Sequence, residues 1–237
     1  MAAYAELQVT TNFSFLRGGS HPAELVETAI LLGLSAIAVT DRNSLAGIVR
    51  GHVAANRNEN HRKASRIPYI VGCRLDFADA PSLLCYPTDI DAYGRLCRLL
   101  TQGNGRAKKG ECLLHQADLL PFSDGQILVA LPPDRIDDGF VAHLDRLRSE
   151  MGKRVFLAAS HRYRGDDARR LEALREVALR TRTLLVATND VLYHVPQRRR
   201  LQDALTCIRE HCTIDDAGWR LEANAERHLK TPEEMDG

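Results

Sequence analysis

The stretch LQVTTNFSFLRGGSHPAELVETAILLGLSAIAVTDRNSLAG, residues 7–47, carries the fold. Its apolar and β-branched opening reads as a strand, FSFLRGG as a turn, HPAELVETAILLGL as a helix, and SAIAV as a second strand ending on Thr40-Asp41-Arg42. The helix is well marked: Ser20 can cap it, Pro22 suits its first turn, Leu25, Ala29 and Leu32 repeat on one face, and Gly33 stops it. A strand followed by a helix and another strand is the βα unit of a parallel sheet.

Outward from this stretch the alternation continues. IPYIVGCRLDF, SLLCYP, QILVALP, RVFLAAS and TLLVATND read as strands separated by helical patterns, so the chain is α/β with a largely parallel sheet. In residues 165–190, Asp166 and Asp167 start a helix whose buried stripe is Leu171, Leu174, Val177 and Ala178. The next helix, within 195–211, is expected to turn Leu201, Ala204, Leu205 and Ile208 inward. Residues 52–68 and 101–114, polar and basic with turn residues, read as irregular. The tail LEANAERHLKTPEEMDG keeps helix-forming residues and ends without an element that closes a domain, which reads as a fragment; residues 1–230 are taken as one domain and 231–237 as the start of a continuation.

Bulk properties exclude several classes. A chain of 237 residues, 44% hydrophobic and 27% charged, can bury one core. Its 32 Lys+Arg against 31 Asp+Glu leave a formal charge of +1, too little to draw the whole chain onto nucleic acid or anionic lipid. The six cysteines form no C-x-x-C pair and read as reduced, mostly buried thiols. The N-terminus has no basic-then-apolar signal, and no window reaches the roughly 18 apolar residues of a membrane span, so the protein is placed in the cytoplasm, away from membranes.

In βα barrels chemistry sits where strands end. The residues to weigh are therefore Gln8, Thr10, Asp41, Arg42, Arg74, Tyr86, His161, Asp190 and Leu192. LQVTTNFSFLRG resembles the first motif, H-x-H-x-x-x-S-x-x-D-G, of the PHP (polymerase and histidinol phosphatase) domain. AVTDRNSLAG is similar to its T-D-H motif, IVGCRLDF to its G-C-E strand, and VATNDVLY to its N-D-x-H-Y motif. SLLCYPTDIDAYGRLCRLLT resembles the stretch that follows in bacterial C-family replicative polymerases, and the nearest likeness is the N-terminal PHP domain of their error-prone, translesion branch.

That resemblance implies a distorted seven-stranded (βα)7 TIM-like barrel of PHP type. Active members hold a metal cluster with His, Asp and Glu at the strand ends. Here the histidines of the first motif correspond to Gln8 and Thr10 and its aspartate to Arg17; the next motifs give Arg42 for histidine, Arg74 for glutamate and Leu192 for histidine. Asp41 and Asp190 alone keep a ligand type. Arginine is always charged and only donates hydrogen bonds, so two guanidiniums at ligand positions oppose a multinuclear site. No metal is expected, the residual candidates being Asp41, Asp190 and His161. An ion-pair plug, with Arg42 or Arg74 neutralising the two aspartates, is the expected replacement.

The resemblance further implies a parent polymerase that uses Mg2+ in a palm domain far downstream, outside these 237 residues. Its partners would be the rest of the polymerase chain, DNA, deoxynucleotides, the sliding clamp and companion mutagenesis proteins. The chain itself would then be structural. The alternatives are an active metal-dependent PHP phosphoesterase or 3'-5' exonuclease, and a free-standing protein-interaction barrel.

Other features read as ordinary surface or turn chemistry. Asp190 also suits a loop cap and Asp41 a strand-end turn. His161, His194 and His211 share no H-x-H or H-x-x-x-H spacing with a carboxylate. Arg198-Arg199-Arg200 and the Arg106, Lys108, Lys109 cluster could touch phosphate or simply be solvated. Neither a Walker loop nor a G-x-S-x-G elbow is present.

Overall fold

The computed structural model describes residues 3–56 and 66–236. They form two compact units. One unit comprises Met1–Val71, Arg162–Arg164 and Thr188–Gly237, the other Gly72–His161 and Gly165–Ala187.

The first unit is built on three parallel strands, β1 (Ala5–Val9), β2 (Ala36–Val39) and β3 (Tyr69–Val71), in that order. Helix α1 (Pro22–Leu31) joins β1 to β2, and α2 (Ile48–Asn56) follows β2. Leu25, Val26 and Ala29 of α1 pack with Val9, Ile37, Ala54, Ala55, Val191 and Leu229 in one apolar core. Burying such side chains contributes about 1.5–3 kcal/mol each. Leu32, expected on the same face, is only partly buried. Pro22 occupies the first turn as anticipated, but His21 is the N-cap, its N–H donating to Glu24 at 2.8 Å. Ser20 is diverted: its hydroxyl meets His194 Nδ1 at 2.7 Å and accepts the His194 N–H at 3.0 Å.

Strand β1 turns polar side chains inward. Glu6 and Gln8 are buried while Leu7 is half-buried. Its register against β2 shifts between Glu6 and Val9, with Glu6 opposite Ile37 and Val9 opposite Val39, and such a bulge re-aims the side chains it contains.

The second unit carries a five-stranded sheet in the order β4 (Cys73–Leu75), β5 (Leu83–Pro87), β6 (Gln126–Ala130), β7 (Val155–Ala159) and β8 (Leu184–Ala187). β5 runs antiparallel to both neighbours, whereas β6, β7 and β8 are parallel. Helices α3 (Ile90–Arg106), α4 (Asp138–Met151) and α5 (Asp167–Thr181) connect them. Asp89 and Asp137 cap α3 and α4 by accepting the N–H groups of Ala92 and Phe140. The α5 stripe holds at Leu174, Val177 and Ala178, with Leu171 half-buried. Both units are α/β, and neither sheet closes on itself among the described residues.

Several expectations are corrected. IPYIVGCRLDF is not one strand: Gly72 separates β3 from β4, which belong to different sheets. Residues 52–56 are the end of α2; residues 57–65 lie outside the described residues. Residues 101–106 continue α3 despite Gly103 and Gly105. A Cβ on Gly103 would sit 2.6 Å from Cys112 Sγ, so glycine there permits close packing of the following segment and does not signal a loop. The tail is mostly irregular, with a short helix α8 (Pro232–Asp236), and it is tied down by backbone contacts: the N–H of Leu192 donates to the carbonyl of Arg227 (2.9 Å), and Tyr193 bridges to His228.

The largest correction concerns α6 (Arg199–Glu210). Its inward residues are Gln202, Thr206 and Cys207, while Leu201, Ala204 and Ile208 face solvent and Leu205 is half-buried. α7 (Ile214–Ala217) packs on α6.

Candidate functional site

The motif positions Gln8, Thr10, Arg17, Asp41, Arg42, Asp190 and Leu192 all fall in the first unit. β1 and β2 bring Gln8, Thr10 and Asp41 to adjacent strand ends. The segment 188–193 lies alongside through Val191, whose N–H donates to Gln8 O (2.8 Å) and whose carbonyl accepts from Thr10 N (2.9 Å). Arg74, Tyr86 and His161 belong to the second unit. Arg74 donates to Asp76 (2.8 Å) and Ser82 (3.2 Å), and His161 Nδ1 lies 4.0 Å from Asp167.

Asp41 is 1% exposed and is held by the turn after β1. The Thr11 N–H and Ser14 hydroxyl donate to Oδ1 at 2.8 and 2.6 Å, and the Thr11 hydroxyl to Oδ2 at 2.8 Å. Burial pushes its carboxyl above the ordinary carboxylate range, and these hydrogen bonds pull it back. Gly47 makes the space: a Cβ there would stand 2.9 Å from Asp41 Oδ2. The Arg42 N–H donates to Ser14 Oγ at 2.9 Å, which chains the second motif to the first.

Asp190 adopts a left-handed backbone (φ 47°). Its carboxylate pairs with Arg227, whose Nε also donates to the Asp190 carbonyl at 2.9 Å. Arg227 pairs with Glu222 as well, and Glu222 lies 3.7 Å from Arg164. Burial pulls against the Arg227 charge, but Asp190 and Glu222 outweigh it and hold the guanidinium above its ordinary value. Leu192 fills the last motif position as a buried side chain.

Two further groups complete the layer. Gln8 Oε1 accepts from the Thr188 hydroxyl at 2.9 Å. Glu6 accepts from the Tyr4 hydroxyl (2.8 Å) and from the N–H groups of Gln8 (2.8 Å) and Asn189 (3.2 Å). Burial pushes Glu6 up to about 7; the donors pull it down and the Asp190 charge adds to the rise. Neither Glu6 nor Arg227 stands out in the sequence. Glu6 is a polar residue in an alternating strand, and Arg227 lies 37 positions beyond its partner. Ser14 had a signal, since it occupies the serine of the first motif.

A multinuclear metal cluster needs several lone-pair donors converging on one point. Among the described residues no three His, Cys, Asp or Glu side chains are grouped to hold a metal. The two remaining aspartates are already served by protein donors, so this donor set does not fit such a cluster. Chemically, the arrangement can position backbone and neutralise charge.

Three members of the basic clusters are likewise engaged. Arg198 pairs with Glu24, Arg199 with Asp203 at 2.7 Å, and Arg106 with Asp118 at 2.6 Å. His194 is turned to Ser20, and His211 is the left-handed C-cap of α6.

The sequence profile of the PHP domain matches residues 6–189. The chain belongs to the PHP domain family. As a PHP domain it is 56% identical over 233 residues to an error-prone DNA polymerase of Caulobacter vibrioides, covering 98% of this chain and 21% of that protein. It is 54% identical over 235 residues to an error-prone DNA polymerase of Rhodopseudomonas palustris, again 98% against 21%. The chain thus spans about a fifth of the length of the curated relatives it matches. Among solved structures, it is similar to a Bifidobacterium adolescentis protein assigned as a metal-dependent phosphoesterase (TM-score 0.59, 17% identity, 80% of this chain and 88% of that one). It is also similar to an amidohydrolase from Chromobacterium violaceum with bound sulfate and no metal (TM-score 0.52, 16% identity, 80% and 88%). At these identities the two structures bear on fold alone.

Proposed function

We propose that this chain is the PHP portion of a C-family, error-prone DNA polymerase acting in damage-induced translesion synthesis and repair, and that its former metal centre has become a structural plug. The observation that carries the second half is the donor set itself: Thr11 and Ser14 serve Asp41, and Arg227, where the sequence suggests Arg42 or Arg74, serves Asp190 and Glu222. Identities of 50–56% with error-prone polymerases support the first half.

In this reading the two units are parts of a distorted seven-stranded PHP barrel. The Mg2+-dependent nucleotidyl transfer, and the contacts with DNA, the sliding clamp and companion mutagenesis proteins, belong to the rest of the polymerase chain in the cytoplasm. No described helix is long and apolar enough to cross a membrane. The domain's own part is to hold a rigid surface for the polymerase body. His161, with Asp167 beside it in the second unit, takes no metal in this reading.

The deciding measurement is elemental analysis after incubation with excess Zn2+ or Mn2+ and removal of unbound ions, paired with hydrolysis of a phosphomonoester and of single-stranded DNA. No retained metal and no hydrolysis are expected. Two or more metals per chain with hydrolysis would establish an active phosphoesterase or exonuclease and overturn the plug. Primer extension by the longer gene product tests the polymerase half separately.

A further inference from the structure

The apolar stripe of α6 points away from the core that formed around α1. Leu201, Ala204, Leu205 and Ile208 recur at the spacing of one helix face, yet Gln202 and Thr206 are the residues turned inward. Ile208 is 58% exposed, Ile214 of the adjoining α7 is 55% exposed, and Trp219, just beyond it, is fully exposed. Exposed apolar side chains recurring on one helix face, with two more on the short elements that follow it, mark a surface that something covers.

Two observations say what covers it. The PHP profile stops at residue 189, so α6, α7 and Trp219 lie beyond the family's shared part. The match to the error-prone polymerases nevertheless runs through 98% of the chain, and those proteins carry about four-fifths of their length outside the matched region. The stripe therefore sits outside the profile's match and inside the match to the polymerases.

We propose that the outward stripe of α6, extended by Ile214 and Trp219, is the surface on which the polymerase body of the longer protein packs. This rests on the polymerase reading above, and the occupant is the polymerase chain itself, not a second copy of this domain or a separate partner.

Hydroxyl-radical footprinting with mass spectrometry tests it, comparing this chain alone with the intact longer protein, whose primer extension is measured on the same preparation. Leu201, Ile208, Ile214 and Trp219 should label readily in the chain alone and several-fold less in the intact polymerase. The Ile208→Asp variant, substituted at an exposed position, should restore labelling of its neighbours in the intact protein. Equal labelling in a preparation that extends primers overturns the inference and leaves the polymerase reading standing. A longer product without polymerase activity overturns that reading and this inference with it. Protection that rises with concentration of the chain alone assigns the stripe to a second copy, and overturns the proposal too.

Discussion

Arg227 donates from its Nε to the carbonyl of Asp190 at 2.9 Å while its terminal nitrogens pair with the carboxylates of Asp190 and Glu222. One guanidinium thus fixes both the backbone and the charge of a residue in a left-handed conformation. Arg227→Ala leaves two carboxylates without that cation. A loss of about 3 kcal/mol in urea unfolding is expected, since breaking a largely desolvated pair costs more than the pair contributes. Arg227→Lys should recover only part, because an ammonium cannot reproduce the fork. Full stability in the alanine variant would remove Arg227 from its structural role.

Asp41 offers a contrast, because hydroxyl and amide groups serve it where Asp190 has a guanidinium. Asp41→Ala strands the buried Thr11 N–H together with the Thr11 and Ser14 hydroxyls. The expected cost is about 2–4 kcal/mol, from several buried groups left unsatisfied. Asp41→Asn keeps one carbonyl acceptor and should cost distinctly less. Equal losses for the two variants, by thermal or urea unfolding, would mean that shape and not hydrogen bonding makes this position important.

Burial of Glu6 gives the fold a pH dependence whose sign follows from the direction of its shift. Its folded-state value of about 7 lies above the ordinary 4.5, so the folded state binds the proton more tightly than the unfolded chain. The stability this adds is fully present below about 4.5 and is lost as pH rises through about 7, a swing on the order of 3 kcal/mol for a shift of this size. The stability difference between pH 5 and pH 8 should shrink markedly in Glu6→Gln. An unchanged slope would place the titration elsewhere.

Gly18 packs without side-chain space against the turn that holds Asp41. A Cβ there would fall 2.2 Å from the carbonyl oxygen of Thr11, and backbone cannot give way as a flexible side chain can. Gly18→Ala should therefore cost about 3 kcal/mol, the upper end for overpacking. Gly94→Ala is the control: nothing lies within 4 Å of its added Cβ, and a helical glycine replaced by alanine gains slightly. Similar stabilities for the two variants, measured by urea unfolding, would contradict this packing.

Residues 7–47 made α1, β1 and β2 legible because their periodicity and turn residues act locally. The positions Gln8, Thr10, Arg42 and Leu192 come from the same local spacing, and the reading of them as replaced ligands rests on the motif resemblance. What occupies the site was not legible. Asp190 finds Arg227 across 37 residues, and buried Glu6 meets the N–H of Asn189 across 183, neither of which has a local signature. Gly103 misled in the other direction, its lack of a side chain serving helix packing where a loop was read. The α6 stripe misled most, since periodicity reveals that a helix has an apolar face but not which neighbour receives it.

That inverted helix leaves a measurable defect. Gln202 is 3% exposed, and its side-chain oxygen has no hydrogen-bond partner among the described residues. A buried acceptor without a donor costs roughly 1–3 kcal/mol relative to an apolar group of the same shape. Gln202→Met, close in volume and flexible enough to fit beside Gly19 and Tyr193, should stabilise the chain by about 1 kcal/mol in urea unfolding. Ile208→Gln, on the solvent side of the same helix, should leave stability of the isolated chain within about 0.5 kcal/mol, as exposed substitutions do. If α6 instead packed by its apolar stripe, both outcomes would change, with Gln202→Met indifferent and Ile208→Gln strongly destabilising. The pair of variants therefore reports the orientation of the helix directly, independent of any polymerase partner.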